Sequence, residues 1–157
     1  MCTVNNAKHT AKDIAKWFIK KNNVPATLYD AEDISNLKLQ KLLYYAQGIY
    51  MAMTGDKLFN DDIVAWEHGP VIANVYHEYS KYGRNGIPFN ESRQPLEKYT
   101  DKENNILEQV YDYFGQYSAW KLRDMTHKEK PWLSTTKNDV ISPAVIKEYF
   151  SKHYVEN

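Results

Sequence analysis

Side chains able to do acid–base or metal chemistry are present in this sequence, but they are scattered. The five histidines are His9, His68, His77, His127 and His153, and none belongs to the His-Glu-x-x-His pattern that sets two imidazoles on one helix face for zinc. Glu67-His68 and His77-Glu78 are adjacent pairs, whose side chains leave a helix on different sides and make no chelate by themselves. Asp61, Asp62, Glu67 and Glu78 cluster around Trp66. Paired acids can do general acid–base work, yet Asp61-Asp62 equally suits a solvated turn. The one cysteine, Cys2, sits at a chain terminus, a poor platform for a preorganised nucleophile. No serine stands in a nucleophile elbow, and no glycine-rich loop of the P-loop or dinucleotide type occurs. These residues assign no catalytic group, no metal site and no cofactor. The enzyme reading they leave is a small hydrolase or ligand-binding enzyme, with His68, His127 and nearby carboxylates drawn into one pocket.

Recognition is the other chemistry on offer. The chain has thirteen tyrosines and four tryptophans, residues that bury large area while keeping a polar handle and that concentrate both in core-edge layers and at protein interfaces. A Tyr-rich core and an exposed aromatic docking face are therefore both open. The run Trp66-Glu67-His68-Gly69-Pro70-Val71 brings an aromatic, a titratable ring and an expected helix start together. A helix N-terminus attracts acidic groups; equally, Trp66 can pack while Gly69-Pro70 makes a turn.

Elements must position these groups, and the sequence punctuates them clearly. Thr10 is set to cap a first helix with Ile14, Trp17 and Phe18 on one face, ended by Asn22-Asn23-Val24-Pro25. A second helix starts near Asn36. Leu39, Leu42, Leu43 and Ala46 keep helical spacing, Ile49, Tyr50 and Met53 extend the stripe, and Leu37, Tyr44 and Tyr45 add apolar surface elsewhere. A helix apolar around most of its circumference belongs at the centre of a bundle, where Gln40 and Gln47 would need hydrogen-bond partners. Leu58-Phe59 and Ile63 to Trp66 suggest a small hairpin or extended connector. A helix is expected to follow Gly69 with Pro70 at its first position, carrying Ile72, Val75, Tyr76 and Tyr79 and stopping at Gly83. Arg84 to Pro95 reads as a long loop with an extended piece around Ile87-Pro88-Phe89. Thr100-Asp101-Lys102-Glu103 is a capping box for a helix bearing Leu107, Val110, Tyr111 and Phe114. Ser118 opens a segment through Trp120, Leu122 and Met125 to His127, Pro131-Trp132 starts a short piece, and Ser142-Pro143 opens a last helix with Ile146, Tyr149 and Phe150.

The expectation is a mainly α, single-domain bundle of about six helices around one central apolar helix. At 157 residues one domain accounts for the whole chain, with 1–9 and 151–157 as tails. Twenty basic and twenty acidic residues cancel, which removes the bulk electrostatic drive toward nucleic acid. Cysteine scarcity and the lack of a signal peptide or a bilayer-length apolar run point to a cytoplasmic protein that meets no membrane.

Leu37-Lys38-Leu39-Gln40-Lys41-Leu42-Leu43-Tyr44-Tyr45-Ala46-Gln47-Gly48, followed by Leu58-Phe59, Trp66-Glu67-His68-Gly69-Pro70-Val71 and Val75 through Tyr79, resembles the SocA-like Panacea antitoxin domain. Many members are known only as phage-associated or mobile-genetic-element proteins. Thr126-His127, Pro131-Trp132 and Ile146 to Phe150 continue the likeness, which runs from about Thr10 to Phe150. The resemblance implies a helical, cytoplasmic protein encoded beside a small toxin, which it neutralises by direct binding. One branch of the family delivers its toxin to an AAA+ protease instead. No catalytic residues carry over, and no added DNA-binding segment is visible. Leu39, Gln40, Leu42, Leu43, Tyr45, Ala46, Gln47, Gly69 and Pro70 are the motif positions. Trp66, His68, Tyr76, Tyr79, Trp120, His127 and Trp132 are the candidates for contact with a toxin.

Overall fold

The computed structural model describes residues 7–29, 33–88 and 98–155, and in 23–29 the backbone alone. Among them are α1 (Ala11–Tyr29), α2 (Asn36–Thr54), β1 (Val64–Trp66), β2 (Gly69–Val71), α3 (Ala73–Tyr79), α4 (Asp101–Phe114), α5 (Ala119–Thr126), α6 (Lys130–Leu133) and α7 (Pro143–His153). The mainly helical bundle expected from the sequence is what forms, with one small antiparallel hairpin.

Helix α2 is its axis. Ser35 caps it by accepting from the Lys38 amide, and Gly55, in the left-handed region, closes it. Around it pack α1, α3, α4, α5, α7 and β2. Leu39, Leu42, Leu43, Tyr44, Tyr45 and Ala46 are wholly buried. Gln40 and Gln47 are buried too, and both are satisfied. Gln40 donates to Asn36 Oδ1 at 2.9 Å and accepts from the Ile72 amide at 2.9 Å. Gln47 donates to the Phe59 carbonyl at 2.7 Å and accepts from the Leu58 amide at 2.8 Å. Each glutamine thus takes the place of a neighbouring strand for a piece of connecting chain.

Three local expectations change. Helix α1 runs past Asn22-Asn23-Val24-Pro25 to Tyr29. Asn22 is buried and accepts from Tyr111 Oη at 2.9 Å, so it tethers α1 to α4 rather than forming a turn. Proline removes one helical donor, a loss that weakens a helix without having to end it. The hairpin pairs Val64–Trp66 with Gly69–Val71, not with Leu58-Phe59, because the latter are held by Gln47. Gly69-Pro70 therefore opens a strand, and α3 begins later, at Ala73. Gly69 has φ of 109°, a conformation that favours glycine. Pro70 is tolerated because Ala65, opposite it, turns its own N–H and C=O away, to Asp139 and Asn138. Of the long loop after Gly83, residues 89–97 lie outside the described part, as do 1–6 of the N-terminal tail.

The caps read from the sequence are present. Thr100 and Glu103 close the capping box on α4, Ser118 and Ser142 cap α5 and α7, and Thr10 exchanges bonds with Asp13 at the start of α1. Asp61 accepts from the Ala11 amide at 2.9 Å and from Asn74 at 3.2 Å, which makes it a structural brace.

The middle of α2 is tied by a buried carboxylate. Glu129, just before α6, accepts from Tyr44 and Tyr45 Oη at 3.0 Å each and from Tyr154 Oη. Burial raises its pKa, against the pull of the three hydroxyl donors. Around this knot Tyr45 stacks on Phe114 with ring centres 3.9 Å apart, and Phe150 packs against both tyrosines. Glu129→Ala removes the acceptor shared by three tyrosine hydroxyls and should cost about 3 kcal/mol, whereas Glu129→Gln, which keeps an acceptor, should cost clearly less; urea unfolding measures both. A methyl at Gly48 would lie 2.5 Å from the Phe150 ring. Gly48→Ala should therefore destabilise by about 1–3 kcal/mol, reversing the usual gain of alanine over glycine in a helix, again read by urea unfolding.

Candidate functional site: an aromatic and basic face around the hairpin

Glu67 and His68 form the exposed tip of the hairpin, and Gly69 brings the chain back against the core. A side chain at 69 would have its Cβ 2.8 Å from both Lys41 Cε and Thr126 Oγ1. The hairpin thus rests directly on α2 and α5, and only glycine allows that approach.

Aromatic residues from separate segments gather around this seat. The Trp66 carbonyl accepts from Trp132 Nε1 at 2.8 Å, fastening α6 to the hairpin. The Trp66 ring meets Tyr76 of α3 edge-on, 5.1 Å between centres. His127, which caps the end of α5, stacks on Trp132 at 4.2 Å. Trp120, in the first turn of α5, is 58% exposed. Arg123 lies one turn along, its guanidinium carbon 4.5 Å from the Trp120 ring centre and its Nε donating to His68 Nδ1 at 3.0 Å.

Six of the seven candidate contact residues therefore lie on this connected face: Trp66, His68, Tyr76, Trp120, His127 and Trp132. Tyr79 does not. It is 2% exposed and belongs to the core under α3. The motif residues Leu39, Gln40, Leu42, Leu43, Tyr45, Ala46 and Gln47 build the core, and Gly69 and Pro70 seat the hairpin on it.

Two basic groups were not singled out from the sequence. Lys41 is wholly buried, with its Nζ donating to the Pro70 carbonyl at 3.1 Å. Desolvation, then repulsion from Arg123, lowers its pKa to about 7. A lysine on a helix apolar on nearly every side was the available signal. Arg123 is the other, and its place three residues after Trp120 was the hint. His127 is held below the ordinary histidine range by burial first, then by Arg123 and Lys41, against a hydrogen bond to the Glu67 backbone. Its Nε2 is buried without a hydrogen-bond partner.

These groups lie on an outer face rather than in a pocket. A groove of about 500 Å³ between α2, α4 and α7 is lined by Met53, Tyr113 and Tyr154, and a small crevice lies beside Asp61 and Asp62. Neither includes His68 or His127. The carboxylates read as acid–base candidates are spread out: Asp61 braces α1, and Glu78 lies 3.7 Å from Lys12. Among the described residues no three His, Cys, Asp or Glu side chains gather as metal ligands, and no helix is long and apolar enough to cross a membrane.

The family model described as "Antitoxin SocA-like, Panacea domain" matches residues 39–133. That span is more than half of the chain, and the chain belongs to this family. It holds all of the aromatic and basic face, and is narrower than the resemblance read from Thr10 to Phe150. Antitoxin SocA of Caulobacter vibrioides (strain NA1000 / CB15N) is 48% identical over 50 residues, which are 32% of this chain and 27% of that protein. The chain thus spans about a quarter of the length of the relative it matches. No solved structure matches.

The buried lysine gives a pH dependence whose sign is fixed. Its folded pKa, about 7, lies below the ordinary 10.5. Between these values the unfolded chain binds the extra proton, so stability rises with pH across that window and is lost as pH falls through 7. Lys41→Met should flatten this slope and raise stability at pH 6 by a few kcal/mol, on the order of 1.4 per pKa unit at most. Urea unfolding of both proteins at pH 6 and 9 checks it.

Proposed function

We propose that this member of the SocA-like Panacea antitoxin family is a cytoplasmic antitoxin that neutralises a small cognate toxin by direct protein–protein contact, using the face around the hairpin. The observation that carries this reading is the convergence of Trp66, Tyr76, Trp120 and Trp132 from four separate segments onto one side. Large, rigid aromatics lose little entropy on binding and supply most of the energy in protein interfaces. Trp120 and Tyr76 keep 58% and 37% of their surface exposed, which leaves area to bury.

No catalytic step is needed for this function. One domain holds its partner, and the toxin is inactive while its working surface is covered. Delivery to an AAA+ protease is a variant of the same contact, and toxin half-life separates the two: it shortens with delivery and is unchanged with sequestration.

The direct test is co-expression with the product of the adjacent gene. The full chain should rescue growth and co-purify with that product. Trp120→Ala should weaken the complex by about thirtyfold or more, the scale of an aromatic anchor worth 2 kcal/mol, and abolish rescue, with an unchanged far-UV circular dichroism spectrum. Full rescue by Trp120→Ala combined with Tyr76→Ala would remove this face from the function.

A further inference from the structure

Resting on that reading of the face, we infer that Arg123 is the docking point for a carboxylate of the protein partner, an aspartate or glutamate set among apolar residues.

Arg123 is held before anything binds. Stacking on Trp120 at 4.5 Å fixes the plane of the guanidinium, and the bond from Nε to His68 at 3.0 Å fixes its rotation. Among the described residues its other N–H groups have only a long contact, 3.4 Å, to Asp124 of its own helix, whose side chain is 48% exposed. A planar fork with ordering already done suits a carboxylate, which it can grip with two parallel hydrogen bonds.

Charge around it points the same way. Lys41 and Arg123 share this corner with the imidazoles of His127 and of His68, whose Nδ1 accepts from Arg123, while the acidic groups, Glu67 and Asp124, are at its solvent edge. Among the described residues the buried His127 Nε2 has no hydrogen-bond partner. The exposed neighbours are aromatic, so the acid sought is one flanked by apolar side chains. A nucleic acid would call for a track of basic groups along a backbone, and the chain is neutral overall with a single anchored guanidinium here.

Proton uptake follows from what faces the two buried bases. Lys41 bonds to the Pro70 carbonyl and feels the charges of Arg123 and His127; His127 bonds to the Glu67 backbone and feels the charges of Arg123, Lys41 and Asp124. In the free protein, burial and Arg123 lower the pKa of both bases, that of Lys41 to about 7. A docked carboxylate offsets the repulsion from Arg123 and raises both pKa values. Affinity should then fall as pH rises from 6.5 to 8.5, by up to about tenfold per pH unit for one proton.

Titration calorimetry of the full chain against the purified product of the adjacent gene, in phosphate and in Tris at pH 6.5, 7.5 and 8.5, reads both parts. Proton uptake and weaker binding at pH 8.5 are expected. Arg123→Gln and Arg123→Lys should each weaken binding at least tenfold with unchanged circular dichroism. Lys41→Met should bind with a shallower pH slope. Replacing the partner's acidic residues one at a time should find one whose loss adds nothing in the Arg123→Gln background. If no acidic residue couples in this way, or if affinity is flat with pH, the inference fails. A loss confined to Trp120→Ala leaves the aromatic face standing and overturns only the carboxylate anchor; no loss with either variant overturns both. Binding of a fluorescent thymidine 20-mer that depends on Arg123 and is not displaced by the partner also overturns it.

Discussion

Helix α2 is buried on almost every side and still carries polar groups at Asn36, Gln40, Lys41, Tyr44, Tyr45 and Gln47. A buried polar group without a partner costs about 1–3 kcal/mol, so each of them constrains whatever lies across from it. The partners come from connecting chain: Leu58-Phe59 for Gln47, Ile72 for Gln40, Pro70 for Lys41, and Glu129 for the two tyrosines. The course of the connections over the bundle is thereby set from inside. Apolar packing gathers the helices, but it is non-directional; these bonds choose where the turns lie.

The hairpin shows how this constraint reaches the surface. Its second strand is pinned at Pro70 by Lys41 and, just after it, at Ile72 by Gln40, while its first strand is bonded at Ala65 to Asn138 and Asp139 and, just before it, at Ile63 to Ile141. With both edges fixed, the Trp66 carbonyl is in place to receive Trp132, and His68 is in place to receive Arg123. Four segments distant in sequence so become one face. Its rigidity is inherited from α2, and a preordered face loses less entropy when something binds to it.

What the sequence revealed followed from regular spacing and short-range chemistry. The stripe from Leu39 to Met53 marked α2 as the hub, and Thr100, Ser118 and Ser142 marked helix starts, because period and capping are local. The hairpin was misplaced by a few residues because its register rests on long-range bonds, Gln47 to Leu58-Phe59 and Ala65 to Asp139. Gly69-Pro70 fits a helix start as well as a strand; the positive φ at Gly69 and its close approach to Lys41 and Thr126 are set by the returning hairpin and leave no local signal. Tyr76 and Tyr79 looked alike, and one proved exposed and the other buried, since three residues along a helix shift the direction by about 60° from a full turn. Lys41 stayed unseen because a lysine inside an apolar helix stripe reads as its solvent edge.

Lys41 tests how far stability alone explains the arrangement. If its sole work were to hold the hairpin through the Pro70 carbonyl, a neutral donor would do it without a charge to desolvate, as Gln40 does for Ile72. A buried ammonium next to Arg123 costs stability at neutral pH, and a carbonyl offsets only part of that cost. The same group lies close enough to Arg123 and His127 for their charges to be coupled, and Arg123 carries the exposed tryptophan. Destabilising groups that persist in a fold concentrate where something is bound. The oriented guanidinium in this corner, with only a long contact to Asp124 among the described residues, is therefore better accounted for by a negative group that arrives from outside than by any need of the bundle itself.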